Sequence, residues 1–310
     1  MFLVMGSGSV GSLFGGMIST VYSDVRLVGR TNHIQAINNN GLKIQGLINK
    51  TVNVSGVTSV EDIHQEITSE SKIIEYILIT TKAHQTESAV NDLKRIVSKE
   101  TIFIALQNGI GTEEIIKNIF PDNMVLRGIT SIGVCRPISG EVEFTGKGLT
   151  RIGYTNQDEK NSAKVLVDLF NKAKITTSLE QNILGAVFTK TIVNCALNPL
   201  TAIYNIKNIE VYKQKPLHKK ASILAKEAWN VAKKLNIKLT VKDPIAYTFE
   251  VILDTGENTN SMLTDVLNKR KTEIDFINGK IIFLGKEKGV SISNNQEIYD
   301  KVIDITKGFS

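Results

Sequence analysis

The sequence predicts an α/β domain over residues 1–180 followed by an all-helical domain over residues 181–310. Short apolar stretches alternate with helical segments in the first part, which is typical of a mostly parallel sheet. Strand patterns end near residue 180, and the segments beyond it have helical spacing. A chain of 310 residues is also longer than one typical domain, which favours two.

The first domain is predicted to open with a buried strand at 2–5, a glycine turn and a helix. A helical segment at roughly 84–98 separates the last two of the next strands. β-branched residues and glycines over 125–153 indicate an antiparallel section, followed by a helix at 158–173 and a strand at 175–179. The strands expected after the glycine turn lie at 24–30, 41–46, 51–60, 76–83 and 101–109.

The second domain is predicted to contain five helices. The segment "TEID" at 272–275 resembles a helix N-cap with an acidic residue three positions later, so a helix is expected to begin there. The five helical patterns cover 183–198, 217–235, 243–253, 262–269 and 273–288.

Composition excludes several classes of function. The formal charge is +6, but the lysine clusters at 218–222 and 268–273 are short and typical of solvated helix surface, so no nucleic-acid partner is expected. Cys135 and Cys195 have no C-x-x-C companion and the four histidines are scattered, so we expect no metal site. Without a signal peptide or a long uninterrupted apolar segment, the sequence predicts a cytoplasmic protein that binds no membrane.

The segment "GSGSVG" at 6–11 matches the G-x-G-x-x-G pattern of a dinucleotide site. An apolar strand precedes it, a helix follows, and a second strand comes about twenty residues later, as a Rossmann-type domain requires. The alternative is a glycine turn that binds nothing. The residues predicted to bind the pyrophosphate are Gly6, Ser7, Gly8, Ser9, Val10 and Gly11.

The end of the second strand predicts which cofactor is used. An acidic residue there would favour NAD, but this sequence has Arg30, whose guanidinium suits a 2′-phosphate. We therefore expect NADP(H), with a plain surface arginine as the alternative. Lys82 and Asn108 lie at the carboxyl ends of two further predicted strands, where ligands of parallel sheets bind, although both are also common turn residues.

Three polar residues interrupt an apolar helical pattern in "KTIVNCALNP". Lys190, Asn194 and Asn198 are four residues apart, so they drift only about 40° per step and share one side of a helix. A lysine in such surroundings can have a lowered pKa and donate a proton near neutral pH. The alternative is a snorkelling lysine with two asparagines that cap local backbone. Further on, Ser261 and Glu273 are also consistent with helix caps and first-turn acids.

Four blocks of the sequence resemble the ketopantoate reductase (2-dehydropantoate 2-reductase) family. They are "GSGSVG", "TTKAHQT" with "LQNGIG", "KTIVNCALNPLTAIYN" and "NSMLTDVLNKRKTEIDFING", and they extend from residue 6 to residue 279. The resemblance implies a Rossmann-type domain joined to a helical domain, and reduction of 2-dehydropantoate to D-pantoate with NADPH in the pantothenate and coenzyme A pathway.

The resemblance also implies roles for individual residues. Lys190 would be the general acid, and Glu273 would help position substrate, cofactor and catalytic groups. Lys82 and Asn108 would lie beside the nicotinamide, and Arg30 would hold the 2′-phosphate. The residues implied to bind substrate are Asn108, Asn194, Asn198, Asn208 and Ser261.

Other interpretations of the sequence stay open. A reductase of a different branched 2-keto acid would share the scaffold, and an NADPH-binding sensor would need only the glycine turn and Arg30. A 6-phosphogluconate-type or 3-hydroxyacid dehydrogenase fits the lysine block and "TEIDFING" poorly. We expect a small 2-keto acid as the partner and leave a homodimer open.

Overall fold

The computed structural model describes residues 1–309, which form two compact units. The first unit consists of Met1–Gln107 and Thr112–Ile183, and the second of Asn108–Gly111 and the chain from Leu184 onward. We expected residues 108–111 in the first domain, whereas they pack with the second unit. A long-range contact holds them there, because Ile110 N–H donates a hydrogen bond to the carbonyl oxygen of Phe276 at 3.0 Å.

Strands and helices alternate through most of the first unit, as the sequence predicts. Within residues 1–309 its strands are β1 (Phe2–Met5), β2 (Val25–Val28), β3 (Leu42–Gly46), β4 (Lys50–Val52), β5 (Ser55–Val57), β6 (Tyr76–Ile79), β7 (Ile102–Ala105), β8 (Val125–Thr130), β9 (Gly133–Cys135), β10 (Glu141–Gly146), β11 (Thr150–Gly153) and β12 (Thr177–Glu180). Its α-helices are α1 (Ser9–Ile18), α2 (Thr31–Asn40), α3 (Val60–Glu70), α4 (Thr86–Asp92), α5 (Thr112–Ile119) and α6 (Lys160–Lys172).

The main sheet has the strand order β12-β11-β8-β7-β6-β1-β2-β5. All its neighbouring strands are parallel except β8 and β11. A smaller sheet has the order β4-β3-β10-β9. The prediction of one antiparallel section over 125–153 is therefore wrong in part: β8 extends the parallel sheet through β7, and β10 pairs in parallel with β3. The α/β fold class itself is confirmed.

The central strand β1 is buried on both faces. Its alternate residues enter different cores, Phe2 and Val4 on one side and Leu3 and Met5 on the other. The two neighbours of β1 are β2, which follows it in the chain, and β6, which comes much later. Strand order thus reverses at β1, and the carboxyl ends of β1 and β6 form the switch point where ligands bind in open parallel sheets.

The second unit is helical, as predicted, but several of its helices begin or end at residues other than those predicted. Within residues 1–309 its helices are α7 (Ile183–Tyr204), α8 (Asn208–Lys213), α9 (Lys215–Lys234), α10 (Pro244–Asp254), α11 (Ser261–Leu267), α12 (Asn278–Glu287) and α13 (Ser293–Ile305).

The helices of the structure differ from the predicted ones in three ways. First, α7 does not stop at residue 198 but continues through Pro199 to Tyr204. Second, Thr272 does not cap a long helix; its hydroxyl accepts from Ile274 N at 3.4 Å, a 3₁₀ turn covers Ile274–Phe276, and α12 begins afterwards. Third, α8 and α13 were not predicted, because α8 has only 6 residues and the cap of α13 comes from a distant residue, Glu227.

Helix α7 is long and apolar enough to cross a membrane by length and composition alone. In the structure, 83% of the most apolar 18-residue stretch of this helix is buried inside the protein. The helix also carries Lys190, Asn194 and Asn198, residues that are costly in a lipid environment. These features are those of a core helix of the second unit.

Candidate active site

The glycine turn after β1 has a backbone that requires its glycines. Gly6 has φ +104°, and a Cβ there would lie 2.6 Å from the backbone nitrogen of Thr81. A Cβ on Gly11 would lie 2.1 Å from the carbonyl oxygen of Gly6, so only glycine lets α1 start this close to the turn. A Cβ added to Gly8 would have no atom of residues 1–309 within 4 Å beyond its immediate chain neighbours and the helix's own backbone, and Gly8 caps α1 without a side chain. The turn therefore leaves an open helix N-terminus, which favours an anion.

Hydrogen bonds from outside the motif hold this turn in place. The Thr80 hydroxyl donates to the carbonyl oxygen of Gly6 at 2.8 Å. The carbonyl oxygen of Ser7 accepts from the Ser12 hydroxyl at 3.1 Å and from Nη1 of Arg136 at 3.3 Å. Sequence reasoning missed these residues, although Thr80 had a signal in its place at the end of β6.

A buried histidine continues the network beneath the turn. Nδ1 of His33 accepts from the backbone N–H of Gly140 at 2.9 Å, so the neutral ring carries its proton on Nε2. Nε2 faces the Ser12 oxygen at 2.8 Å, and the Ser12 hydroxyl donates onward to Ser7. Burial, with the nearby positive charge of Arg136, lowers the pKa of His33 to about 4. The neutral ring therefore gives the network a fixed direction near neutral pH.

The carboxyl ends of β1, β6 and β7 present polar atoms that suit a bound nucleotide. The hydroxyls of Ser7 and Thr81 and the amide oxygen of Gln107 are buried and have no hydrogen-bond partner within residues 1–309. Buried polar groups normally have partners, so these three atoms point to a polar ligand. Together with the open turn at Gly8, they fit a dinucleotide at the switch point of the sheet.

Arg30 and Lys82 lie on either side of β1. Arg30 follows β2, caps α2 through its backbone, and is exposed. Its side chain makes no hydrogen bond or ion pair with any of the described residues, so its charge is available to a ligand. Lys82 follows β6, is half-buried, and precedes a 3₁₀ turn over Ala83–Gln85. Both are placed where the sequence predicted, while their roles stay predictions.

In the second unit, one amide joins the predicted general acid to the predicted carboxylate. Nζ of Lys190 donates to Oδ1 of Asn108 at 2.7 Å. Nδ2 of Asn108 donates to Oε2 of Glu273 at 3.4 Å. The ammonium and the carboxylate fix which end of the amide faces which group. Lys190 and Asn108 are half-buried and Glu273 is 6% exposed, so this charged cluster is largely removed from water.

The remaining predicted substrate residues differ in their surroundings. Asn194 is half-buried and Asn198 is buried on α7, while Ser261 is exposed as the first residue of α11. Asn208 is 3% exposed. Its Nδ2 donates to the carbonyl and hydroxyl oxygens of Thr255 at 3.2 and 3.0 Å, and its Oδ1 accepts from Asn260 at 3.1 Å. Asn208 thus connects helix ends, and its substrate role stays a prediction.

The side-chain types that bind metal ions do not gather into a ligand set in the described part of the chain. Within residues 1–309 no group of three His, Cys, Asp or Glu side chains is placed to hold an ion. Cys135 is exposed, whereas Cys195 is buried and its burial raises the pKa of the thiol. A buried thiol of raised pKa is unreactive.

Family comparisons agree over both units. The sequence model described as "Ketopantoate reductase PanE/ApbA" matches residues 2–157, and the C-terminal model of the same family matches residues 182–306. This chain belongs to the ketopantoate reductase family. Members of this family are oxidoreductases, so the chain is an enzyme of that class.

Individual relatives give the same result. The chain is 38% identical to a 2-dehydropantoate 2-reductase of Pyrococcus horikoshii over 91% of this chain and 90% of the relative. It is 30% identical to one of Archaeoglobus fulgidus, covering 98% and 97% of the two chains. A solved structure of D-mandelate dehydrogenase with NADH and anilino(oxo)acetate is similar to the ketopantoate reductase fold seen here, with TM-score 0.90, 27% identity, and 99% and 98% of the chains covered. These likenesses support a nicotinamide cofactor and a small keto acid as ligands.

Proposed function

We propose that the chain reduces 2-dehydropantoate to D-pantoate with NADPH, a step of pantothenate and coenzyme A biosynthesis. The observation that carries this proposal is the hydrogen-bond network of Lys190, Asn108 and Glu273. It occurs in a chain whose relatives are named 2-dehydropantoate 2-reductases. A cytoplasmic location belongs to the same proposal, as does the homodimer left open by the sequence.

Lys190 acts as the general acid. A bound nicotinamide cofactor would supply the hydride that bonds to C2 of the keto acid. Negative charge then develops on the carbonyl oxygen, where the Lys190 ammonium stabilises it and donates the proton that completes the alcohol. Lys190 regains its proton from water after the reaction.

Asn108 and Glu273 orient that ammonium. Oδ1 of Asn108 accepts from Nζ of Lys190 and so restricts where the donor points, while the Glu273 carboxylate fixes the amide. A positioned acid is effective because a small displacement of the reacting groups is costly in rate. Asn194, Asn198 and Ser261 are suited by their amides and hydroxyl to bind the substrate carboxylate and hydroxyl, with Asn208 as a weaker candidate.

Arg30 directs the preference toward NADPH. Its exposed guanidinium, unengaged by residues 1–309, lies at the carboxyl end of the strand next to β1. A guanidinium pairs well with a phosphate dianion and gains nothing comparable from a ribose hydroxyl. D-mandelate dehydrogenase was solved with NADH, so the fold alone does not select NADPH, and we assign that selection to Arg30.

A second candidate is reduction of another 2-keto acid, which the likeness to D-mandelate dehydrogenase favours. A panel of 2-keto acids, assayed with NADPH and with NADH, separates the two. We expect the highest kcat/KM for 2-dehydropantoate with NADPH. A higher kcat/KM for phenylglyoxylate or 3-methyl-2-oxobutanoate would show that this other keto acid is the preferred substrate. NADPH binding without turnover of any keto acid would indicate a sensor instead.

A further inference from the structure

Helix α7 contains a proline that leaves one carbonyl without its helical partner. Pro199 has no N–H, so the carbonyl oxygen of Cys195, four residues earlier, receives no i→i−4 hydrogen bond. Cys195 is fully buried, which keeps water from that oxygen. A buried acceptor left without a donor is destabilising, so another group must supply the hydrogen bond.

Asn278 supplies it. Its Nδ2 donates to the carbonyl oxygen of Cys195 at 3.2 Å, and the side chain is fully buried. The second Nδ2 hydrogen points to Oδ1 of Asn295 at 2.9 Å. Two acceptors around one nitrogen fix the orientation of this amide, because the flipped form would place oxygen against oxygen.

A carboxylate anchors the other end of this connection. The backbone and side-chain nitrogens of Asn295 both donate to Oε2 of Glu227 at 2.9 Å. Nδ2 of Asn295 also donates to the carbonyl oxygen of Leu224 at 3.2 Å. Asn295 therefore presents its Oδ1 to Asn278 in one orientation, and the connection runs from Glu227 on α9 to Cys195 on α7.

We propose that Asn278 is a positioning residue for catalysis. It lies five positions after Glu273, and it binds α7 at Cys195, next to Asn194 and five residues after Lys190. It thereby fixes the segment that carries the buried carboxylate against the helix that carries the general acid and the asparagines. The connection is made where Pro199 interrupts the helical hydrogen bonds and α7 is easiest to bend. This inference rests on the proposed function, since keto acid reduction is the reaction that it affects.

A double-mutant cycle tests the inference, because Pro199→Ala restores the missing N–H. We expect Asn278→Ala to raise the KM for the keto acid and lower kcat, reducing kcat/KM roughly tenfold, the scale of one lost hydrogen bond. The KM for NADPH should stay within about threefold. In the Pro199→Ala background, Asn278→Ala should change kcat/KM by no more than about threefold, because the carbonyl of Cys195 then has a helical donor.

Asn123→Ala is a matched control. Asn123 is a buried asparagine of the first unit whose Nδ2 also donates to backbone carbonyls, those of Ser98 and Thr101. It should lower the Tm and leave the KM for the keto acid unchanged, as expected of a purely structural amide. The same behaviour in Asn278→Ala, a lower Tm with an unchanged KM, would overturn the inference. Equal losses of kcat/KM from Asn278→Ala with Pro199 present and in the Pro199→Ala background would overturn it too.

Two further outcomes are decided by the same variants. If Asn278→Ala alone does not fold, the inference is tested with the double variant that also carries Pro199→Ala. A folded double variant with kcat/KM within about threefold of Pro199→Ala supports the proposal, and an unfolded or inactive one contradicts it. Failure of the proposed function is distinguishable, because the unaltered protein itself would then reduce no keto acid.

Discussion

Replacing Arg30 by alanine isolates the contact that we assign to the 2′-phosphate. The Arg30 side chain makes no hydrogen bond or ion pair within residues 1–309 and caps α2 only through its backbone, so its removal should leave the fold intact. A hydrogen bond to a charged group contributes about 1.5–3 kcal/mol. Because the residue is exposed and screened by salt, the low end of that range applies. We therefore expect a roughly 10- to 30-fold weaker Kd for NADPH.

The assay is titration of the variant with NADPH and with NADH at low and at high ionic strength, monitored by nucleotide fluorescence. The Kd for NADH should change by less than about threefold, and the NADPH effect should shrink as salt is added. Arg95→Ala is the matched control. Its side chain is 77% exposed, lies in a 3₁₀ turn over Leu93–Arg95 that precedes β7 in the chain, and makes one exposed ion pair with Glu61 at 3.7 Å. Equal losses for both nucleotides in Arg30→Ala, or an equal loss in the control, would refute the assignment.

Three other predictions concern the amide, the turn and the histidine. Asn108→Ala removes the acceptor of the Lys190 ammonium and should lower kcat about tenfold in steady-state assays, with NADPH binding retained. Gly8→Ala has room for its Cβ and an ordinary φ of −73°, so the Tm should hold while both nucleotides bind at least about tenfold more weakly by titration. His33 has a folded pKa of about 4 against 6.5 when unfolded, so between these pH values the unfolded chain binds more protons. The contribution of His33 to the protein's free energy of unfolding should thus fall by about 3 kcal/mol from pH 6.5 to 4 in urea titrations. The variant His33→Asn should show a correspondingly weaker dependence of the unfolding free energy on pH.

The elements that could be predicted from sequence are those with a local pattern. The glycine turn follows from its spacing and the strand before it, because the tight approach of Gly11 to Gly6 is possible for no other residue. The shared side of Lys190, Asn194 and Asn198 follows from helical periodicity. The position of Arg30 beside the predicted nucleotide site follows from its place at the end of the second strand, because the carboxyl ends of parallel strands lie on one side of the sheet.

The parts that could not be predicted depend on partners far apart in sequence. Gly140 orients His33 across 107 positions, and Glu227 caps α13 across 67 and 68 positions. The predicted helix at 183–198 was too short, because the donor that replaces the N–H missing at Pro199 is Asn278, which is 83 positions from Cys195. No periodicity or local propensity contains these pairings, so only the folded chain shows them.

Lys190→Ala tests the central claim most directly. The variant is assayed for turnover of 2-dehydropantoate and, separately, for its Kd for NADPH. If Lys190 is the proton donor, kcat falls by roughly 10²-fold or more, the usual scale of general acid catalysis, while the Kd for NADPH changes by less than about threefold. Near-normal turnover in this variant would contradict the account.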